Sequence, residues 1–173
     1  MPATLVTRTP RRRQHASTNK NHSVTSWRDT ASEQTQGDLD RLLTVAVEYA
    51  RAEYERSGAL IPFGAAIAHD GIPRVLSTHP TTDRPPIMEV RQSALDALRR
   101  LRGEIRAAAV VSVAPIGPPR AIELEVQLEH QNGVNITVTQ EFRRVGTRKR
   151  LKWGDLSART HDPEIWGSSA ANS

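Results

Sequence analysis

The sequence contains no cysteine. Disulfide bonds, thiolate zinc sites, iron–sulfur clusters and cysteine nucleophiles are therefore excluded. Long apolar runs are missing as well, because no stretch approaches the roughly 18–20 apolar residues that a membrane-spanning helix needs. The N-terminal residues also lack the apolar core of a secretory signal. From these absences we expect a cytoplasmic protein that has no membrane partner.

Lysine and early acidic residues are scarce. Only three of the 24 basic residues are lysines, and the first acidic residue is Asp29. So much arginine with so little lysine is typical of a GC-rich coding bias as well as of a protein with an anionic partner. Residues 1–36 carry a net charge of +4 out of the +5 of the whole chain. The basic character therefore belongs to the N-terminal segment, and the rest is nearly neutral.

Composition along the chain predicts one domain between two disordered ends. Residues 1–36 are rich in Ser, Thr, Asn and Gln and show no periodicity, so they cannot bury enough apolar surface to offset the entropy of ordering the backbone. We interpret them as a disordered basic tail. Residues 37–166 form the predicted single domain, and residues 167–173 form a second disordered end.

Periodicity within the domain predicts an α+β fold. We expect a mostly antiparallel sheet of about five strands with two main helices, in the order α-β-β-α-β-β-β. The predicted elements are helix 38–57, a strand within 59–68, strand 72–79, helix 85–102, strand 107–116, strand 121–130 and strand 134–145. Residues 146–158 allow one more short strand followed by a helical turn.

The clearest strand is AIELEVQLEH, residues 121–130. Its apolar residues are Ile122, Leu124, Val126 and Leu128, which alternate with the polar residues Glu123, Glu125, Gln127 and Glu129. Alternation of this kind predicts one face on the core and one face in water. Paired carboxylates can act as acid and base, but their regular spacing on an exposed face favours a solubilising role for the three glutamates.

Two short connections determine how the last strands pair. A three-residue loop at 131–133, with Gly133 in the left-handed conformation, places Leu128 opposite Ile136 and keeps the apolar faces together. The connection at 117–120 has only four residues, whereas a parallel crossover needs a dozen or more. We therefore expect the strands before and after residues 117–120 to form an antiparallel hairpin.

The stretch IPFGAAIAHDG, residues 61–71, resembles the first strand of cytidine deaminase-like domains, and the likeness covers about 60 residues. That family holds zinc with a His or Cys at the start of its second helix, beside a Glu that shuttles the proton. Here PPIMEVRQSA contains Glu89 with no His or Cys before it, and VAPIGPP stands where paired cysteines would follow. The zinc chemistry is therefore not expected, and Gly64 is interpreted as a small residue that lets a helix pack closely across the strand.

Two further resemblances concern architecture alone. The order of helices and strands is similar to that of the roadblock, profilin and longin domains, which implies a sheet with helices on both faces. Residues 38–166 as a whole resemble an uncharacterised bacterial α+β domain family with a PFG…DG strand and a C-terminal Trp. Neither resemblance implies an activity.

Histidines and basic residues supply the remaining candidate sites. No two of the six histidines have the i, i+4 spacing of helical metal ligands, so we expect solvated loop histidines. The segment RRVGTRKRLKW, residues 143–153, holds six basic residues and one Trp without an acid. Phosphate contacts and a stacking indole would suit a single-stranded nucleic acid. The candidate nucleic-acid-binding residues are Arg143, Arg144, Arg148, Lys149, Arg150, Lys152 and Trp153. A charged edge strand that blocks aggregation explains the same pattern.

No catalytic, cofactor-binding or metal-binding motif is recognisable in the sequence. We therefore expect a non-enzymatic interaction or scaffold domain that forms a homodimer or binds a protein partner through a helix or a sheet edge. The alternative is a nucleic-acid-associated protein that uses the basic segment and the N-terminal tail. An enzyme with an unrecognised active site stays open as a third hypothesis.

Overall fold

The computed structural model describes residues 27–76, 86–117, 121–147 and 150–167. The helices are α1 (Trp27–Thr30), α2 (Glu33–Ser57) and α3 (Ile87–Leu101). The strands are β1 (Phe63–Ala68), β2 (Pro73–Leu76), β3 (Ile105–Ile116), β4 (Ala121–His130), β5 (Asn135–Val145) and β6 (Arg150–Thr160). Among these helices, none is long and apolar enough to cross a membrane.

The strands form one antiparallel sheet in the order β2-β1-β3-β4-β5-β6. The predicted α+β class with an antiparallel sheet is therefore confirmed, with six strands instead of about five. The additional strand is β6, whose eleven residues occupy the place of the predicted short strand and helical turn. A bulge at residues 154–155, opposite Glu141, interrupts the alternation of β6. The sequence therefore lacks the continuous period-two pattern that would predict a strand of this length.

Helix α2 begins earlier than its apolar periodicity indicates. The side chain of Ser32 accepts a hydrogen bond from the backbone N–H of Thr35 at 3.2 Å, which caps the helix at Glu33 instead of Asp38. Residues 27–36, predicted to belong to the disordered tail, thus form α1 and the first turn of α2. The helix ends at Gly58, whose φ of 76° matches the predicted C-terminal stop.

The sheet carries a helix on each face. Helix α2 packs across β1, β2, β3 and β4 and builds the larger core with Phe63, Val111, Leu128 and Phe142. Helix α3 packs on β1 and β3 and builds a smaller core that includes Leu98 and Ile165. Strand β6 lies at one edge of the sheet and packs against the larger core through Leu151 and Trp153.

Gly64 has the role that its position predicts. A Cβ atom at this residue would lie 3.3 Å from Cδ1 of Leu98 and 3.7 Å from Cβ of Leu76. The absence of a side chain therefore lets α3 approach β1 closely.

The predicted pairing of the last strands is also confirmed. Strands β3 and β4 are antiparallel, with Val111 opposite Val126. Leu128 lies opposite Ile136, and Gly133 has a φ of 85°. Residues 118–120, the centre of the short connection, lie outside the described residues.

Candidate functional site

The predicted basic segment forms the end of the β5–β6 hairpin. Arg143 lies opposite Lys152, and Val145 lies opposite Arg150. Side chains alternate between the faces of a sheet, so these three basic residues share the face that carries α3 elsewhere. We call Arg143, Arg144, Arg150 and Lys152 the basic hairpin. Arg148 and Lys149, the other two basic residues of the segment, lie outside the described residues.

The cations of the basic hairpin are solvent-exposed and form no ion pair with the described residues. All four side chains are exposed. Within the described part of the chain, none of them has a carboxylate oxygen within 4 Å. Most other arginines of the domain are paired, as Arg74 is with Asp70 at 2.6 Å. The hairpin therefore presents exposed positive charge without ion pairs among the described residues, although Glu55 and Glu141 line the cavities beside it.

Arg144 occupies the opposite face of the hairpin. Its guanidinium carbon lies 5.7 Å from the ring centroid of Tyr54, at the end of α2. Beside it an open cavity of about 340 Å³ is lined by Glu55, Arg144, Arg150 and Leu151. The cavity is shallow and polar, and it joins the two faces of the hairpin at its tip.

Trp153 is half-buried in the core at the start of β6. Its ring stacks on Phe142 with the centroids 4.3 Å apart, and the guanidinium carbon of Arg51 lies 4.6 Å from its centroid. Two groups this close to one centroid cannot share one face of the ring, so both faces are covered. Arg51 is itself held by a 2.7 Å hydrogen bond to Oε1 of Gln140. The indole therefore packs inside the protein instead of offering a free surface for a base.

Strand β6 is the last strand of the described sheet, and its residues are mostly exposed. Leu156 is 54% exposed although it points to the face covered by α2. Next to it lies a largely apolar groove of about 200 Å³, bounded on its other side by Trp27, Leu39 and Leu43. Helix α2 contacts β6 at Trp153, through Arg51, whereas beside Leu156 the groove separates the two elements.

A buried polar network lies at the other end of the domain, around Asp38. Its Oδ1 accepts hydrogen bonds from Nη2 of Arg41 at 2.7 Å and Nη2 of Arg106 at 2.8 Å. Its Oδ2 lies 2.7 Å from Nε of Arg106 and 3.4 Å from Nε2 of His130. The backbone N–H of Asn132 donates to Nδ1 of His130 at 3.2 Å, so the neutral ring carries its proton on Nε2. The prediction of a solvated loop histidine is therefore wrong for His130, which is 2% exposed.

Burial shifts the titration of both partners in this network. Burial alone would raise the pKa of Asp38. Hydrogen bonds from Arg106, His130 and Arg41 outweigh the effect of burial and hold that pKa below the usual 3.8. Burial also lowers the pKa of His130 below 6.5, and the hydrogen bond to Asp38 offsets only part of that effect. Both shifts favour the arrangement seen, an ionised carboxylate beside a neutral imidazole.

A second buried carboxylate belongs to Glu129, which was predicted to face water. Its side chain is on the α3 face but only 2% of the residue is exposed. Oε1 accepts the backbone N–H of Glu164 at 2.6 Å, and Oε2 accepts those of Ile165 at 2.9 Å and Trp166 at 3.3 Å. The solubilising role is therefore wrong for Glu129, whereas Glu123 and Glu125 are partly exposed. The glutamate fastens the segment after β6 to the smaller core.

The carboxylates of these two clusters are fully engaged by donors of the protein. In each, the carboxylate oxygens already accept from arginine, histidine or backbone donors, and the imidazole is occupied at both nitrogens. Within the described residues, no three His, Asp or Glu side chains lie close enough to hold a metal ion. Glu89, which stands where the deaminase-like family has its proton-shuttling Glu, is exposed in the first turn of α3. Neither cluster was predicted from the sequence, because the residues that meet in each cluster lie far apart along the chain.

Comparison of the chain with protein-family models, with curated proteins and with solved structures gives no match in any of the three.

Proposed function

We propose that this domain is a non-enzymatic interaction module whose binding surface is the outer edge of β6. The observation that carries the proposal is the position of this strand. It has eleven residues and is paired with β5 on one side, and no strand of the described residues lies on its other side. Unpaired backbone N–H and C=O groups along a sheet edge are a template for another strand.

Direct contacts identify which groups of β6 face outward. The backbone N–H of His161 donates to the carbonyl oxygen of Asn135 at 3.3 Å, so it points toward β5. Backbone groups of successive strand residues point in opposite directions. The N–H and C=O groups of Leu156, Ala158 and Thr160 therefore point away from β5, toward the open edge.

The internal clusters also support an interaction role. The carboxylates of Asp38 and Glu129 are saturated by donors of the protein and almost fully buried. They stabilise the fold and leave no polar atom for a substrate. The apolar exposure at Leu156 and the groove beside Trp27 instead lie next to the β6 edge, where a bound chain would cover them.

Photo-crosslinking in cells tests this function. A photo-reactive amino acid is incorporated at position 158, whose backbone groups point to the open edge. The matched control carries the same amino acid in place of Glu48, which is exposed on α2. We expect a crosslinked protein at position 158 that is absent at position 48. Equal crosslinking at both positions, or none at position 158 with the chain correctly folded, would contradict the proposal.

A second function, association with single-stranded nucleic acid, is favoured by one observation. The basic hairpin gathers four exposed cations with no carboxylate of the described residues in ion-pair range. Because both faces of Trp153 are covered, such binding would rest on phosphate contacts and would be insensitive to base sequence. The basic N-terminal segment adds further positive charge.

Salt titration tests this second function. Binding of a fluorescent single-stranded oligonucleotide is measured by anisotropy from about 50 mM salt upward. Replacing Arg143, Arg150 and Lys152 by Ala should reduce the slope of log affinity against log salt by about 2, because each single-strand phosphate contact contributes roughly 0.7. The control replaces Arg56, Arg100 and Arg102, which are exposed elsewhere. An equal loss in both triple variants would assign the effect to net charge, and no binding at low salt would rule the function out.

A further inference from the structure

We infer that the partner of the β6 edge is a second copy of this chain, bound antiparallel to β6 with Ser157 at the two-fold axis. This inference rests on the proposed interaction function and names its partner. It follows from the outward direction of three backbone positions and from the order of the charged residues along the strand.

The backbone restricts how two β6 strands can pair. Leu156, Ala158 and Thr160 direct their backbone groups outward, so in the part of β6 after the bulge hydrogen-bonded pairs can form only among these positions. With Ser157 facing its own copy, Leu156 of one chain lies opposite Ala158 of the other. Each such pair exchanges two N–H···O bonds, and the symmetry repeats it on the other side of the axis.

Side chains select this register among the few that the backbone allows. It places Asp155 opposite Arg159 of the second copy, and symmetry repeats that contact. Both residues belong to pairs that are not hydrogen-bonded, in which the side chains approach most closely. Centring the pairing on Asp155 or on Arg159 would instead bring like charges face to face, which destabilises a sheet. Centring the pairing on Leu156 would place Ser157 opposite Asp155, and centring it on Ala158 would place Ser157 opposite Arg159. Neither of these registers brings Asp155 opposite Arg159.

Asp155 and Arg159 are both exposed, and only Arg159 has a partner, Glu125, among the described residues. Asp155 is exposed and has no ion pair within the described residues. The side chain of Arg159 is 68% exposed, and its contact with Glu125 is long, at 3.4 Å. Asp155 directly precedes Leu156, where regular pairing resumes after the bulge, so alternation from Asp155 to Arg159 places both side chains on the same face as Ser157. Asp155 of a second copy would therefore give Arg159 a second carboxylate partner beside Glu125.

The apolar face of the strand agrees with the same register. Leu156, 54% exposed in the single chain, would lie beside Ala158 of the second copy on the α2 face. The groove that Leu156 and Ala158 line would continue across the junction. An interface built on one strand of this length is small, so we expect reversible association.

Sedimentation velocity of the full chain, from about 1 µM to about 1 mM, tests the inference. We expect a concentration-dependent dimer. The single charge reversals Asp155→Arg and Arg159→Asp should each weaken it about tenfold, because two attractive pairs become repulsive. Combining them restores opposite charges across the axis and should return the dissociation constant to within about threefold of the original.

Two controls separate the register from general effects. Glu48→Arg and Arg102→Asp change the net charge equally at exposed sites away from β6, and should leave the dimer intact. Ala158→Pro removes an outward donor and places a ring at the edge, and should abolish the dimer while the circular dichroism spectrum is retained. The charge variants keep the inference testable if the proline variant fails to fold.

Three outcomes would overturn the inference: a monomer at every concentration, a dimer unaffected by Ala158→Pro, or a double reversal that fails to restore association. A monomer that still crosslinks another protein at position 158 in cells would overturn self-pairing alone. A monomer with no crosslink at that position would overturn the interaction function as well.

Discussion

Oε2 of Glu129 accepts the backbone N–H of Ile165 at 2.9 Å, and this bond fastens the segment after β6 beneath α3. Ile165 is 2% exposed and packs with Leu95 and Leu98 in the smaller core. Next to it, Nε of Arg99 donates to the carbonyl oxygen of Glu164 at 2.8 Å. One buried carboxylate thus orders a stretch of chain that has no helix or strand of its own.

Glu129→Gln should destabilise the domain by about 1–3 kcal/mol, because an amide NH₂ would replace one acceptor and face a buried backbone donor. Urea unfolding followed by circular dichroism measures the change. Glu123→Gln, on the same face of β4 but only partly buried, is the control and should stay within about 0.5 kcal/mol. Equal stability of the two variants would show that the carboxylate contacts do not hold the segment.

Stability should fall as the pH drops below about 6.5. The pKa of His130 in the folded domain lies below that ordinary value, so the unfolded chain takes up a proton first and acid favours unfolding. The slope from this group cannot exceed about 1.4 kcal/mol per pH unit. A second decrease should begin below about pH 3.8, where the unfolded chain protonates Asp38 while the folded domain does not.

Urea unfolding at a series of pH values tests this dependence. His130→Gln, which cannot titrate, should remove the part of the slope that begins just below about pH 6.5 and leave the part below about pH 3.8 in place. The same slope in the variant and the parent would assign the effect to other groups.

Gly64→Val should destabilise the domain by about 1–3 kcal/mol, because the added atoms would press on Leu98 at a position where Cβ alone lies 3.3 Å away. Thermal melting compares this variant with Gly103→Ala. At Gly103 a Cβ meets nothing within 4 Å, and the melting temperature should stay the same or rise slightly. A tolerated valine at position 64 would mean that α3 can move away from β1 at little cost.

Much of the fold was predictable because short-range patterns determine it. The alternation in β4 identified the strand to its ends, and the brevity of the loop at 131–133 gave the pairing of Leu128 with Ile136. Those features depend on residues within a hairpin. The start of α2 was missed because a polar cap at Ser32, and not an apolar stripe, sets it. The length of β6 was missed because the bulge before Leu156 breaks the period-two pattern on which strand prediction depends.

The candidate sites were less accessible to prediction. The basic hairpin was found as a segment, since its charge is local in sequence. Glu129 and His130 were predicted to be solvent-exposed, because that prediction also depended on local signals, the alternation along β4 and the turn that follows it. Their partners, Ile165 and Asp38, lie 36 and 92 residues away. Only the tertiary fold determines that such residues meet, and no short window of sequence contains both.

The helices cover the faces of the sheet unevenly. Where β1 and β3 lie, a helix covers each face, whereas β6 contacts α2 at Trp153 and is mostly exposed along the rest of its length. Amide protons of the inner strands should therefore exchange with deuterium only through global unfolding, and those of β6 through local fraying. A strand added along β6 would suppress that fraying, so association would slow exchange in the outer hairpin before it changed the melting temperature of the whole domain.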